Sequence, residues 1–144
     1  MKKNDLSCEC IVIGAGIIGL TVAAALSRKG IEVIILEAEN QTIQHASSHN
    51  SEVIHSGVYY QANSLKAKLC VEGNRLLYDY CRKKGIDFKK TGKLIFGHHQ
   101  EDLHALEKLL LNAKNNGVEE TSMLEEKDLL QMEPYLKAKL ALFV

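Results

Sequence analysis

Apolar residues in the first third of the chain run together instead of alternating. Cys8-Glu9-Cys10-Ile11-Val12-Ile13 is a short β-branched run of the kind a buried parallel strand carries. Leu20 to Lys29 is alanine-rich and helical, Gly30 is its natural stop, and Ile31 to Leu36 is a second apolar strand. The period then changes. Ser64 caps a helix that runs to Lys84, with Leu65, Leu69, Leu76, Leu77 and Tyr80 near one face and Gly85 at its end. Ile86 to Lys90 and Lys93 to Gly97 are strand-like and bracket Thr91-Gly92. Glu101 to Asn116 is a helix on Leu103, Leu106, Leu110 and Ala113, followed by Gly117. Glu125 to Met132 is a shorter helix stopped by Pro134, and Lys139 to Val144 is a last strand. No internal repeat or low-complexity linker is visible.

Between the first two strands lies Gly14-Ala15-Gly16-Ile17-Ile18-Gly19, a G-x-G-x-x-G pattern. Alone it is weak. Here strand, glycines, helix, strand and an acid, Glu37, follow in order, which is the fingerprint of a dinucleotide-binding βαβ unit. Gly14 permits the tight turn, Gly16 lets the backbone approach a pyrophosphate, and Gly19 lets the helix pack on the strand. The helix N-terminus offers amide donors to the phosphates. Glu37 is placed to accept ribose hydroxyls, and an acid there favours FAD or NAD over NADP.

The polar stretch His45-Ala46-Ser47-Ser48-His49-Asn50-Ser51-Glu52-Val53-Ile54-His55-Ser56-Gly57 comes next, and no clear third βα repeat follows it. A flavin cofactor is longer than a nicotinamide one, and Ser47, Ser48, His49, Asn50 and Ser51 are suited to cradle its ribityl chain and ring.

Composition narrows the field. Lys plus Arg and Asp plus Glu are both 18, so the net charge is zero, which argues against nucleic acid or an anionic membrane held by bulk charge. Cys8, Cys10, Cys70 and Cys81 have neither zinc spacing nor a Cys-x-x-Cys, and read as buried thiols in a reducing, cytoplasmic setting. The uncharged run from Cys10 to Ser27 could pass for a signal or membrane segment, but its three spaced glycines and the strand after it speak against that. His98, His99 and His104 lack metal-ligand spacing and read as exposed imidazoles, so no metal is expected.

The runs SSHNSEVIHSGVYY and SLKAKLCVEGNRLLYDYC, with Thr91-Gly92-Lys93-Leu94-Ile95 and Glu133-Pro134-Tyr135, carry a family resemblance. The chain resembles the FAD-dependent oxidoreductases of the D-amino-acid oxidase superfamily, and within them the L-2-hydroxyglutarate dehydrogenases and oxidases. The resemblance implies an α/β fold: a Rossmann-like FAD-binding domain with a parallel sheet, plus the beginning of an α+β substrate domain. It implies residues 1–85 as the FAD-binding part, with a flavin-cradling loop at 45–57, and 86–144 as an incomplete substrate-domain segment. By the same resemblance Gly14, Gly16 and Gly19 meet the pyrophosphate and Glu37 holds the ribose. Ser47, Ser48, Asn50 and Ser51 then run beside the pyrophosphate and ribityl chain. Val53 to Gly57 pass near the flavin ring, where His55 is the candidate catalytic base for a 2-hydroxy-acid substrate.

Two departures stand out. Relatives commonly carry glycine where this chain has Glu52, which brings bulk and negative charge toward the ring. The chain is also far shorter than the family's, so it reads as the truncated N-terminal part of such a flavoprotein. It is expected to be inactive alone, with a separately encoded C-terminal half as a candidate partner. A non-catalytic remnant is the alternative. The expected location is cytoplasmic, with the periphery of the inner membrane as the variant, and no transmembrane segment.

Overall fold

The computed structural model describes residues 7–144 and places them in two compact units that divide between Glu52 and Val53. The long helix after Ser64 thus falls in the second unit, whereas the resemblance groups residues 1–85 as the FAD-binding part.

The first unit is β1 (Cys10–Ile13), α1 (Ile17–Ser27), β2 (Val33–Leu36) and a single 3-10 turn at His45–Ser47. β1 and β2 pair in parallel, with Cys10 opposite Val33 and Ile13 opposite Leu36. Both strands are shorter at their N-terminal ends than the apolar runs suggest. Side chains paired in register share a face. Val12 points at α1, its Cγ1 lying 3.4 Å from where a Cβ on Gly19 would sit, so Cys10, Val12, Val33 and Ile35 share the face turned to α1, Ile35 remaining exposed at its edge. The opposite face carries Ile11, Ile13, Ile34 and Leu36, and Ile13 is 87% exposed.

The second unit begins with an irregular segment, 53–64, and α2 (Leu65–Lys84). Ser64 caps α2 as expected: its Oγ accepts from the Ala67 N–H at 3.1 Å, and Gly85 closes the helix in the left-handed conformation. The packed face is a different one from the leucine face. Ala67, Cys70, Val71, Asn74, Tyr78 and Cys81 are buried or half-buried, whereas Leu65, Leu69, Leu76, Leu77 and Tyr80 are exposed. Small residues allow close approach along the packed side, while the leucines stay exposed.

β3 (Leu94–Gly97), α3 (Gln100–Asn116), β4 (Ser122–Glu125), α4 (Glu126–Met132) and β5 (Leu140–Phe143) complete the unit. The sheet order is β3-β5-β4, antiparallel throughout. Alternation along β5 sorts its core. Leu140 and Leu142 pack with Leu106, Leu110 and Ala113 of α3, and Ala141 packs with Leu129 of α4. The α3 face is the one read from the sequence. One expectation fails here, and one strand forms where none was expected. Ile86 to Lys90 is irregular, with Phe88 tilted onto the Tyr78 ring at 5.1 Å and no strand partner. Ser122 to Glu125, which shows no alternation strong enough to read, is a strand because β5 supplies a backbone partner.

Candidate cofactor site

The glycine loop joins β1 to α1. Gly14 has φ +96°, a conformation side chains avoid, and its N–H donates to Leu36 O at 2.7 Å, tying the turn to the end of β2. Gly19 is fixed by space. A Cβ there would stand 1.9 Å from the carbonyl oxygen of Gly14, so no other residue fits without moving the loop. Gly16 is the N-cap of α1, and a Cβ on it would meet Ser47 Oγ at 3.0 Å.

Two side chains from outside the motif hold this loop. Glu37 accepts from three backbone N–H groups: Ala15 at 2.5 Å, Ala38 at 2.7 Å and Glu39 at 3.0 Å. Its pKa is lowered, first by the Glu39 amide, then by those of Ala15 and Ala38, with the His45 ring adding to the effect. Three of a carboxylate's roughly four acceptor positions are therefore taken by backbone, and one is left for a ribose hydroxyl. Ser47 Oγ accepts from the Ile17 N–H at 3.0 Å, the first amide of α1. Helix geometry leaves the remaining first-turn amides without intrahelical acceptors.

The other expected site residues are placed differently. Ser48 Oγ donates to His45 O at 3.2 Å and lies 2.8 Å from His49 Nδ1. Asn50 turns inward on its own loop: Oδ1 accepts from the Glu52 N–H at 2.8 Å, and Nδ2 donates to Ala46 and Ser47 carbonyls at 3.4 Å. Ser51 is exposed. His55 is exposed and belongs to the second unit, where Asn74 Nδ2 donates to its carbonyl at 3.0 Å. The structure thus gathers Gly14, Gly16, Gly19, Glu37 and Ser47 around one loop. Ser48 and Asn50 shape the following turn.

Four further participants, Ala15, Glu39, Ile43 and His45, are not read as site residues from the sequence. Ala15 supplies an amide to Glu37 and a carbonyl to the Ile43 N–H at 3.0 Å, while His45 Nε2 pairs with Glu39 Oε1 at 2.9 Å. All act through backbone or through contacts that exist only once the chain is folded. Among the described residues no group of three or more His, Cys, Asp or Glu is arranged to hold a metal ion, and no helix is long and apolar enough to cross a membrane. The second unit also has an open cleft of about 590 Å³, with Lys93 and Glu133 beside Phe96, Met132 and Phe143.

The profile of the FAD dependent oxidoreductase family matches residues 9–144. The chain belongs to that family. It is 41% identical over 143 residues to the mitochondrial L-2-hydroxyglutarate dehydrogenase of Bos taurus, covering 98% of this chain and 31% of the relative. With the Arabidopsis thaliana protein of the same name it shares 46% over 134 residues, 93% of this chain and 28% of that one. Among solved structures it is similar to the FAD-bound, dithionite-reduced L-alpha-glycerophosphate oxidase of Mycoplasma pneumoniae. That match has a TM-score of 0.85 at 25% identity, over 97% of this chain and 38% of the other. The glycine oxidase of Bacillus cereus shares the fold, with a TM-score of 0.69 at 20% identity over 95% of this chain and 39% of that one. The chain therefore spans about a third of the length of the curated relatives it matches.

FAD is the cofactor of the family, and the first unit fits it. The loop has left-handed Gly14 and sterically closed Gly19, first-turn amides stand at the head of α1, and an acid ends β2. Glu37 and Ser47 are the two side chains placed to meet or make way for its polar groups.

Proposed function

We propose that this chain is the N-terminal, FAD-binding portion of an oxidoreductase acting on L-2-hydroxyglutarate, or a related 2-hydroxy or amino acid, to give the 2-oxo acid. The observation that carries the reading is the match along almost the whole chain to proteins named for that substrate. The geometry of the glycine loop supports it.

When bound, FAD supplies the hydride acceptor. The chain's own contributions are distinct. With FAD bound, the α1 amides and Gly16 would take the pyrophosphate, Glu37 would take a ribose hydroxyl, and Ser47 would lie beside the pyrophosphate and ribityl chain. His55 is the residue we assign to receive the substrate hydroxyl proton. Its imidazole is exposed, and its backbone is anchored by Asn74.

Alone, the chain should bind FAD without turning over. The bare face of the β1–β2 sheet supports a need for further polypeptide, since parallel sheets are covered on both faces in folded enzymes. A separately encoded C-terminal half is one candidate for that polypeptide. The cytoplasmic location, with the inner-membrane periphery as its variant, belongs to the same proposal. The test is to mix purified chain with FAD, desalt, and record flavin absorbance, then assay L-2-hydroxyglutarate with a dye acceptor. Retained flavin with no turnover above a Gly16→Asp control supports the reading. Absence of retained flavin points to the non-catalytic remnant, and turnover by the isolated chain overturns the expectation that it is inactive.

A further inference from the structure

Residues 55–60 have no regular secondary structure, yet four of their six carbonyls are engaged by side chains from two helices. Asn112 Nδ2 on α3 donates to Val58 O at 2.7 Å and to Tyr60 O at 2.9 Å. One turn on, Asn116 Nδ2 donates to Gly57 O at 3.1 Å and to Tyr60 O at 2.8 Å. On α2, Asn74 Nδ2 holds His55 O at 3.0 Å. Three amides thus fix four carbonyls within a six-residue stretch.

Both hydrogens of the Asn112 and Asn116 amides are used. The orientation of each amide follows from its neighbours, because an oxygen in place of Nδ2 would face carbonyl oxygens. Asn116 accepts a cost for this: its Oδ1 is buried with no donor among the described residues. Val58 is buried among Leu106, Ala113 and Leu142, so apolar packing alone could hold the segment. Packing sets its depth. The directional amides also set the rotation and register of its backbone.

We propose that Asn112 and Asn116 are positioning residues: with Asn74 they fix the 55–60 backbone so that His55 is presented at one place and angle. This rests on the reading above, in which the segment lies at the flavin ring. Two further contacts agree with a segment held for orientation. Lys66 Nζ lies 4.4 Å from the Tyr60 ring centre and Lys93 Nζ 4.9 Å from that of Tyr59, gripping both aromatic side chains.

The experiment compares the parent chain with Asn112→Asp/Asn116→Asp, which keeps shape but turns donors into acceptors. Asn115→Asp, exposed on the same helix, is the control for charge. Three readouts are taken: FAD affinity, circular dichroism of the visible flavin band, and hydrogen exchange at the Tyr60 amide, which donates to Gly57 O at 3.2 Å. The expected result is faster exchange at Tyr60, an altered flavin band, and FAD affinity down about tenfold. Exchange along α3 should be unchanged, and Asn115→Asp should match the parent. Faster Tyr60 exchange with an unaltered flavin band and affinity would overturn the inference, leaving the asparagines a purely structural role. If the double variant does not fold, Asn74→Ala, which removes only the bond to His55 O, carries the same expectation for the flavin band. A parent that binds no FAD refutes the functional reading, and this inference falls with it. The two failures are distinct, since one shows in the parent and the other only in the variants.

Discussion

Glu52→Gly should make the protein more stable, and the structure says why. Glu52 has φ +54°, the left-handed region that L side chains enter at a cost of about 1–2 kcal/mol. Asn50 Oδ1 accepts its N–H at 2.8 Å and holds the turn, and that bond involves only the backbone of residue 52, so it survives the substitution. Glycine removes the strain but adds about 0.5–1 kcal/mol of unfolded-state freedom. The net gain is then roughly 0.5–1 kcal/mol, a rise in Tm of about 2–5 °C. Glu52→Ala separates backbone from charge. It deletes the exposed carboxylate yet keeps a Cβ in the same conformation, so it should show no such gain. Urea unfolding of the three proteins decides the matter: Gly above Ala by at least ~0.5 kcal/mol is expected. Equal stability of the two variants would refute the strain argument. The same proteins also test the flavin side. If the carboxylate repels the reduced ring, both variants should tighten binding of the reduced flavin by a shared factor of up to about a hundred.

Gly19→Ala should destabilise the first unit by about 1–3 kcal/mol and abolish FAD retention, since its Cβ would lie 1.9 Å from Gly14 O; a desalted, flavin-retaining variant would contradict the loop geometry. Glu37 is expected to confer acid lability: with its folded pKa lowered, its contribution is present above the unfolded pKa and is lost as pH falls through the folded value. The stability difference between parent and Glu37→Gln should therefore shrink toward zero on acidification, and a difference independent of pH would argue against the amide contacts. Val12→Ser, on the covered face of β1, should cost about 1–2 kcal/mol, while Ile13→Ser, 87% exposed on the bare face, should change stability by less than ~0.5 kcal/mol and improve solubility. Equal losses in denaturant would mean that both faces are covered in solution.

The first unit was legible because its signals are local. A β-branched run, glycines at fixed spacing, an alanine-rich segment and an acid each dictate structure without help from distant residues; β1 and β2 formed within their runs, and α1 formed over Ile17–Ser27, three residues earlier than the alanine-rich segment begins. Ser64, Gly85 and Gly117 likewise end helices by chemistry that acts within a few residues. The errors have a common cause. Whether Ile86 to Lys90 or Ser122 to Glu125 becomes a strand depends on which one meets β5, and no local pattern encodes that. The α2 leucines share a face, as their spacing says, but spacing does not say which face packs, and Ala67, Asn74 and Cys81 form the packed side. The site followed the same rule. Glycines declared themselves, whereas the contacts of Glu37 and Ser47 with Ala15 and Ile17 span 22 and 30 residues of sequence.

Those two long-range contacts also change what the polar stretch after β2 is for. Eight serine, histidine and asparagine side chains in residues 45–57 look like a cradle, but Ser48 and Asn50 bond within the turn and only Ser47 reaches the glycine loop. Its hydroxyl sits on the first amide of α1, one of the donors at which a helix N-terminus receives an anion. A phosphate oxygen that takes the Ile17 N–H must replace Ser47 Oγ there, and the hydroxyl, being a donor as well as an acceptor, can then donate to that same oxygen. Glu37 cannot make the same exchange. It is an acceptor only, and moving it off Ala15 would expose a carboxylate to the incoming phosphates. The loop is therefore built with one side chain that can yield to an anion and one that must stay in place. Glu37 holds the turn rigid, and Ser47 supplies the adaptable contact.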